Sequence, residues 1–479
     1  MYVVQQLIDG AWGADGDAGE LVVCDPADGS PVSRVPVATP AAVGTAVKAA
    51  RTAATKWGAT PAAERAAALR RAADAIEANA DRLADAEVAE MGRPIGGARG
   101  GVAAGVATLR QYAELGQIHR GRALAGQPEA IDLMAVQPRG VVAVITPWND
   151  PVAVSCGLLG AALVTGNTVL YKPSERAPAT GFLLARLLDE QLPPGVLSLL
   201  TGDGTVGAAL AEQEVDVVAH VGSTTTGRAI AAACARTGAK ALLENGGSDP
   251  LIVDAGVDAH WAAEQAALGA FTNSGQLCVA VERIYVHRSL APQFLTALVE
   301  RAESLRVGPG RDPLVEMGPL VDLRHREHVD AQVRAAVGEG ARLLAGGAVP
   351  ESPGAFYPPT VLADCTDGMA VMREETFGPV APVMVVESFD EALSRASYSP
   401  YGLAATVLTG SMSNAQRAWR ELPVGTVKIN AVFGGAPGGA AHPRRGSGEG
   451  FGYGPELLDE LTVTKVVHLG APGGGAASW

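Results

Sequence analysis

Residues 168–200 read TVLYKPSERAPATGFLLARLLDEQLPPGVLSLL, and their pattern indicates the fold class. The short apolar run Thr168–Tyr171 predicts a strand, residues 178–189 have helical spacing, and Val196–Leu200 predicts a second strand. A strand, a helix and another strand in that order are typical of a β-α-β unit, in which the two strands lie parallel. The stretch therefore predicts an α/β protein.

The same alternation continues on both sides of this unit and then begins again. Two successive α/β series predict two doubly wound α/β domains, each built on a parallel sheet. In the first series, strands are predicted at Val141–Ile145, Val215–Val218 and Lys240–Leu243, with helices at 205–213, 225–236 and 258–272. In the second series, strands are predicted at Val281–His287, Val380–Val386, Ala404–Leu408 and Thr426–Ile429, with helices near 290–305, 322–337, 388–397 and 412–421.

The segment before the first series is rich in alanine. Residues 40–91 have helical spacing, and Thr60 followed by Pro61 predicts an N-cap with proline at the first helical position. Gly92 is expected to end this helical segment. At the other end of the chain, the Gly/Ala-rich residues from Gly470 onward predict a mobile tail.

Composition narrows the class of protein. The 479 residues are 48% hydrophobic and 18% charged, which is sufficient for a large buried core. The formal net charge of −14 argues against nucleic acid or an anionic membrane as the main partner. Five scattered cysteines without a C-x-x-C pair are typical of reduced thiols. With no evident signal peptide, we expect a cytoplasmic protein.

Two glycine-rich segments are candidates for binding phosphate groups. Gly202-Asp-Gly204-Thr-Val-Gly207 matches the dinucleotide fingerprint between a strand and a helix, but the acidic residue expected about 20 positions later is absent. The match is equally well explained by a tight turn. A second candidate, Gly222-Ser-Thr-Thr-Thr-Gly227, also lies between a strand and a helix, and its backbone N–H groups suit a pyrophosphate.

A cysteine and a glutamate are the candidates for chemistry. Cys278 follows small and polar residues in Phe271-Thr-Asn-Ser-Gly-Gln-Leu-Cys278, which leave room for a substrate, although a lone cysteine is more often a buried structural thiol. Glu244 follows an apolar strand and precedes Asn245-Gly246-Gly247, at the edge where parallel sheets bind ligands.

Together with four further segments, these two motifs resemble the signatures of the aldehyde dehydrogenase superfamily. The resemblance extends over nearly the whole chain, matches residues 271–282 throughout, and departs at Asn245 and Ser248, where an aliphatic residue and often lysine are usual. The further segments are Thr146-Pro147-Trp148-Asn149, Asn167-Thr168-Val169-Leu170-Tyr171-Lys172-Pro173-Ser174-Glu175, Gly222-Ser223-Thr224 and Glu374-Glu375-Thr376-Phe377-Gly378-Pro379.

The resemblance implies an enzyme that oxidises an aldehyde to a carboxylic acid with NAD(P)⁺. It makes Cys278 the nucleophile that forms a thiohemiacetal and then a thioester. The Asn149 amide and the Cys278 backbone N–H are expected to stabilise the oxyanion. Glu244 is expected to activate the water that hydrolyses the thioester.

The resemblance also implies the cofactor contacts. Lys172 and Glu175 match positions that bind the adenosine ribose, and a carboxylate there favours NAD, with NADP possible. On the same grounds, the Gly202 motif is expected to be a turn and not the phosphate site. The other cofactor-binding residues implied are Trp148, Gly222, Ser223, Glu375 and Phe377.

By the same resemblance, the two α/β domains have defined limits and are joined by a small β element. Residues 1–116 and 138–246 are expected to form the Rossmann-like NAD(P)-binding domain, and residues 247–445 the catalytic domain. Residues 117–137 and 456–470 are expected to form an oligomerisation element that pairs protomers by sheet extension. A homodimer or homotetramer follows by analogy.

Several side chains bear on the substrate. Asp150 replaces an aromatic residue common in the family and predicts a polar channel, or else it caps the helix that begins at Pro151. Arg283 and Arg444 are candidates to hold an anionic tail. Arginine at position 283 is, however, widespread in the family and carries little information by itself, and Arg444 is otherwise explained as a solvated residue of its Gly-rich loop. These residues, with no visible aromatic lining, predict a small polar or charged aldehyde such as a semialdehyde.

The pair His325 and His328 has metal-ligand spacing, but a solvated helix face is the better explanation, and no metal is expected.

Two rival functions are consistent with parts of the pattern. A CoA-acylating relative would pass the acyl group from Cys278 to CoA, but Glu244 argues for hydrolysis. A non-catalytic nucleotide-binding protein on the same scaffold is suggested by Asn245 and Ser248. The intact Cys278, Glu244 and Asn149 argue against it.

Overall fold

A computed structural model describes residues 1–13, 18–435 and 439–470. The segment after Gly470, for which the sequence predicts a mobile tail, lies outside the described residues. Most of the chain is organised around two large sheets, each covered by helices on both faces, which confirms the predicted α/β class with a Rossmann-like first sheet. No described helix has both the length and the apolar character needed to cross a membrane.

The first sheet has eight strands, and its five central strands are parallel. Central strands such as Val141–Ile145 are buried throughout, as expected for apolar runs covered on both faces. Across the sheet the order is Gly448–Glu449, Lys240–Glu244, Val217–Val221, Val141–Ile145, Thr168–Lys172, Leu197–Leu199, Gln6–Ile8 and Ala11–Gly13. Helices Ala62–Ala78, Ile95–Ile118, Pro151–Val164 and Pro178–Asp189 pack on one face, and Pro40–Ala59, Gly204–Ala211 and Thr224–Thr237 on the other.

The second sheet has seven strands, six of which are parallel. Four of them have the bounds predicted from the sequence. The order across the sheet is Arg342–Ala345, Thr360–Ala363, Val380–Val386, Val281–His287, Asp249–Val253, Ala404–Leu408 and Thr426–Ile429. Helices Ala259–Phe271 and Ala291–Ser304 cover one face, and Leu323–Gly338, Phe389–Ser397 and Met412–Glu421 the other.

The Ala-rich segment differs from its prediction at one position. It forms three helices, Pro40–Ala59, Ala62–Ala78 and Ala80–Met91. Thr60 ends the first helix and does not cap the second, because Pro61 occupies the N-cap position and the Thr60 hydroxyl donates to the Lys56 carbonyl. Gly92 ends the third helix in the left-handed conformation, with φ 71°, as predicted.

Two small sheets complete the fold. In one, Ile131–Pro138 pairs antiparallel with Thr462–Leu469 along its whole length and with Arg122–Leu124 on its other side. The other small sheet contains Tyr2–Val3, Pro31–Pro36 and Glu20–Cys24. The remaining helical segments are Thr272–Gly275, Ala370–Met372, Arg445–Ser447 and Glu456–Glu460.

Candidate active site

The three predicted catalytic residues line one cleft between the two large sheets. Glu244 ends a strand of the first sheet, Asn149 lies between a strand and the helix Pro151–Val164, and Cys278 precedes the strand Val281–His287 of the second sheet. The cleft has a volume of about 460 Å³. The described lining also includes Trp148, Asp150, Arg176, Gly222, Ser223, His325, Glu375, Phe377 and Tyr453.

A strained turn leads the chain into Cys278. Asn273, Ser274 and Gly275 have φ values of 51°, 59° and 72°, which are uncommon for residues with side chains. The Ser274 hydroxyl donates to the Gly318 carbonyl at 2.8 Å and stabilises the turn. A Cβ on Gly275 would lie 2.1 Å from the Gly378 carbonyl oxygen, so this position requires glycine.

The Asn149 amide is held in place by this turn. Its Nδ2 donates to the Gln276 carbonyl at 3.0 Å, and the Asn273 amide donates to the Asn149 carbonyl at 3.3 Å. Gln276 in turn accepts a hydrogen bond from the backbone N–H of Val321 at 2.9 Å. Because Asn149 is buried and anchored through one N–H, its second N–H is oriented by the protein before a substrate binds.

The electrostatics of the cleft oppose charge on both reactive groups. Burial raises the pKa of the Glu244 carboxyl to about 7, and no hydrogen bond within the described residues holds that carboxyl. Burial, followed by the nearby Glu244, Asp249 and Glu375, raises the pKa of the Cys278 thiol, and Lys428 opposes this effect. A carboxyl with a pKa near 7 is matched to taking up and releasing protons at neutral pH.

Two consecutive glycines allow these groups to approach each other. The Gly247 N–H donates to Glu375 at 2.9 Å, and burial raises the pKa of Glu375 to about 7. A Cβ on Gly246 would lie 2.1 Å from the Glu375 carboxylate, and a Cβ on Gly247 would lie 2.8 Å from the Cys278 carbonyl oxygen. A side chain at either position would therefore push the loops carrying Glu375 and Cys278 away from Glu244.

A second cleft of about 810 Å³ adjoins the first and shares Trp148, Arg176 and Ser223 with it. Lys172 and Glu175 line it, with 3.8 Å between the Lys172 amine and the Glu175 carboxylate. Burial lowers the pKa of Lys172, and the Glu175 carboxylate opposes this effect. The structure thus brings the predicted cofactor residues to two connected clefts.

Both glycine-rich motifs open helices beside this second cleft. Ser223 caps the helix Thr224–Thr237 by accepting from the Thr226 N–H at 3.2 Å, and the buried Thr224 hydroxyl has no hydrogen-bond partner among the described residues. In the other motif, Asp203 caps the helix Gly204–Ala211. The Gly222–Gly227 motif therefore presents a helix N-terminus to the second cleft, an arrangement that suits an anion.

Asp150 lines the catalytic cleft, but its side chain pairs with an arginine and does not cap the helix that begins at Pro151. It occupies the N-cap position of Pro151–Val164 without a side-chain cap hydrogen bond. Its carboxylate pairs with Arg93 at 2.8 Å, and Arg93 also contacts the fully buried Glu87 at 3.3 Å. The side chain of Asp150 is still 26% exposed, so one part of the carboxylate faces the cleft.

The two arginines predicted to hold an anionic tail lie elsewhere, and this corrects the prediction. The Arg283 guanidinium is buried and donates to the Ser248 carbonyl at 2.9 Å and to the Tyr285 hydroxyl at 3.2 Å. Arg444 is exposed, and neither residue belongs to the described lining of the cleft. Arg283 supports the backbone of the second sheet, and its donors are already engaged.

The sequence led to a wrong prediction for one residue of the cleft, His325, and gave no indication of another, Tyr453. His325, predicted to be solvated, is partly buried, lines the cleft and contacts the Phe377 carbonyl through Nε2 at 2.8 Å. Tyr453 supplies an aromatic lining that the sequence did not reveal, and Gly157 makes room for it, since a Cβ there would lie 2.7 Å from the Tyr453 ring. No local pattern around Tyr453 indicates this position, because its contacts lie about 300 residues away in the chain.

Comparisons with known proteins agree with the geometry. The chain matches the Aldehyde dehydrogenase family over residues 12–467. It is 36% identical over 480 residues to a betaine aldehyde dehydrogenase of Cereibacter sphaeroides, with 97% of this chain and 96% of the relative covered. It is 37% identical to the 2-hydroxymuconic semialdehyde dehydrogenase of a Pseudomonas species, covering 90% and 92%. The crystal structure of Staphylococcus aureus betaine aldehyde dehydrogenase with NAD⁺ superposes with a TM-score of 0.96 at 30% identity, covering 99% and 96%.

The chain therefore belongs to the aldehyde dehydrogenase family. Its activity is the oxidation of an aldehyde to a carboxylic acid, with NAD(P)⁺ as the oxidant.

Proposed function

We propose that Cys278, Asn149 and Glu244 carry out this oxidation on a small polar aldehyde that is neutral or positively charged. The observation that supports the catalytic assignment is the presence of a thiol, an oriented amide and a carboxyl in one cleft between the two sheets. The substrate assignment is supported by the charges that line this cleft.

The chemistry follows from the properties of these groups. The Cys278 thiol loses its proton to water, and the resulting thiolate adds to the aldehyde carbonyl. The remaining N–H of Asn149 and the backbone N–H of Cys278 stabilise the oxyanion. NAD(P)⁺, when bound, accepts the hydride that leaves carbon as the oxyanion collapses to a thioester on Cys278. Glu244 then removes a proton from the water that hydrolyses the thioester and releases the acid.

NAD is the cofactor that the residues of the second cleft fit best. The helix N-terminus that follows Ser223 suits the pyrophosphate. Lys172 and Glu175 suit the adenosine ribose, and the negative charge of Glu175 disfavours the extra phosphate of NADP. Glu375 and Phe377, which line the catalytic cleft, and Trp148 and Gly222, which line both clefts, would surround the nicotinamide end.

The substrate preference rests on the charges facing Cys278. Asp150 and Glu244 are the acidic side chains on the side of the cleft away from the cofactor residues, where Tyr453 adds an aromatic surface. Arg176, the one arginine in the described lining, stacks on Trp148 at 5.5 Å and pairs with Asp322 at 2.7 Å, on the cofactor side. An acidic and aromatic pocket favours a hydroxyl or ammonium group on the aldehyde over a carboxylate.

The test is a panel of aldehydes of similar size that carry a hydroxyl, an ammonium, a carboxylate or no polar group. NADH and NADPH formation is followed for the wild type, for Cys278→Ala and for Cys24→Ala, which removes an exposed thiol outside the cleft. We expect turnover of the hydroxyl and ammonium aldehydes, retained in Cys24→Ala and lost in Cys278→Ala. Full activity of Cys278→Ala would refute the catalytic assignment, and a preference for the carboxylate aldehyde would refute the substrate assignment.

We further propose that residues 1–116 with 138–246 and residues 247–445 act as cofactor and catalytic domains of a homo-oligomer in the cytoplasm. Apart from the edge strand Gly448–Glu449, the strands of the first large sheet lie within residues 1–116 and 138–246, and those of the second lie within residues 247–445. Residues 117–137 and 456–470 contain the small sheet whose apolar side chains Ile131 and Val466 are 60% and 69% exposed, which suits burial against a second copy. Light scattering should give a dimer or tetramer, and Val466→Lys should weaken it.

A further inference from the structure

Phe377 has a backbone conformation that needs support. Its φ is 51°, in the left-handed region that residues with bulky side chains rarely adopt. The Phe377 ring lines the catalytic cleft and packs edge-to-face on Trp148, with 5.6 Å between ring centroids. Neighbouring groups must therefore compensate for the strain, because a relaxed backbone would move this ring.

Both peptide groups of Phe377 make hydrogen bonds to side chains. Its N–H donates to the Glu282 carboxylate at 2.9 Å, and the same carboxylate accepts from the Thr376 N–H at 2.8 Å. Its carbonyl lies 2.8 Å from Nε2 of His325. A carbonyl oxygen can only accept, so Nε2 of His325 is the donor.

His325 is itself held in place to make this contact. It lies in the first turn of the helix Leu323–Gly338, where the Asp322 side chain caps the helix by accepting from the His325 N–H at 2.7 Å. Its ring lies 6.2 Å from the rings of both Trp148 and Phe377. Burial lowers the pKa of His325 to about 4, so the ring is neutral near pH 7 and carries its proton on Nε2.

We propose that His325 is a positioning residue that holds the Phe377 backbone in its left-handed conformation, and thereby places the cofactor-facing wall of the catalytic cleft. This inference rests on the proposed roles of Phe377 and Glu375 in binding the cofactor. The sequence analysis predicted a solvated helix face for His325 and His328, and this inference gives a role to His325 alone. His328 is exposed and lies one helical turn away, where it stacks on His325 and contacts the Gln332 amide at 3.3 Å, and it makes no hydrogen bond to Phe377.

The first test compares His325→Leu, which removes the donor, with His325→Gln, whose amide can donate at a similar position. His260→Gln is the matched control, because His260 is an exposed histidine in the first turn of another helix. We expect His325→Leu to raise the KM and Kd for NAD⁺ about tenfold, the effect of one unsatisfied buried carbonyl. The KM for the aldehyde and the rate of Cys278 alkylation without cofactor should stay unchanged. His325→Gln should restore most of the affinity for NAD⁺.

A double-mutant cycle distinguishes positioning from direct contact with the cofactor. Glycine adopts a positive φ without strain and has no ring to place, so in a Phe377→Gly background the His325→Leu change should have little further effect on the Kd for NAD⁺. An undiminished effect in that background would overturn the proposal, because it would mean that His325 contacts the cofactor directly.

Two further outcomes separate this inference from the proposed function. If wild type binds NAD⁺ and His325→Leu binds it equally well, the inference is wrong and the proposed function stands. If wild type shows no NAD⁺ binding by calorimetry, both are wrong. If circular dichroism shows that His325→Leu does not fold, a folded His325→Asn variant takes its place as the variant without the hydrogen bond. An NAD⁺ affinity of His325→Gln as low as that of His325→Asn would then overturn the inference.

Discussion

The buried carboxyl of Glu244 makes the rate of thioester hydrolysis depend on pH. Burial raises its pKa to about 7. The ionised fraction is then about 9% at pH 6, about 50% at pH 7 and about 91% at pH 8. If Glu244 is the general base for thioester hydrolysis, the hydrolysis rate should rise about fivefold from pH 6 to pH 7 and less than twofold from pH 7 to pH 8.

Rapid mixing measures this step directly. With a saturating aldehyde and NAD⁺, Glu244→Gln should release about one equivalent of NADH per active site and then turn over about 10²–10⁴ times more slowly than wild type. Added hydroxylamine, which attacks thioesters without a base, should restore much of the rate. A steady-state rate that is flat from pH 6 to pH 8 while hydrolysis limits turnover, or full turnover by Glu244→Gln, would refute the assignment.

The raised pKa of Glu244 also makes the free energy of unfolding depend on pH. The pKa of Glu244 is higher in the folded than in the unfolded chain, where it is near 4.5. The folded state therefore binds the proton more tightly, and its stability falls as the pH rises from about 4.5 to about 7. Glu244→Gln removes this effect, so above pH 7 it should raise the free energy of unfolding by up to about 3 kcal/mol.

Three further changes test the surroundings of the site. Glu175→Ser should raise kcat/KM for NADP⁺ about tenfold by removing a like charge, and a fall in NADP⁺ use would contradict this reasoning. Arg93→Met should lower the free energy of unfolding by about 3 kcal/mol in urea titrations, because it leaves Glu87 buried without its partner. The exposed pair Arg99–Asp81 is the control, and Arg99→Met should cost less than about 1 kcal/mol. Asp150→Asn should raise the KM of an ammonium aldehyde about fivefold and leave that of a neutral aldehyde of equal size unchanged.

The strands were predictable where most of their residues are apolar and buried. Val281–His287 and Ala404–Leu408 have the bounds that the sequence predicts, because both are buried on both faces. The strand between them, Asp249–Val253, was missed. Pro250 has no N–H to donate and normally argues against a central strand. The sheet accommodates it with a register shift between Asp249 and Pro250.

The residues that support the site could not be predicted in the same way. Cys278 and Glu244 stand in local patterns that a single sequence displays. The partners of Asp150 and Phe377, by contrast, are Arg93 and His325, which lie 57 and 52 residues away in the chain. Their roles depend on how separate helices pack against the loops of the cleft, and no local spacing encodes that packing.

The glycine pair at positions 246 and 247 has a consequence for how this enzyme can vary. Glu375 and the Cys278 main chain occupy the space that a side chain would need on either glycine. A single added methyl group at this junction would disturb the oxidative and hydrolytic half-reactions together, since it displaces groups that serve each of them. Changes in substrate range must therefore arise on the opposite side of the cleft, around Asp150 and Tyr453, where the walls can be altered without separating Cys278 from Glu244.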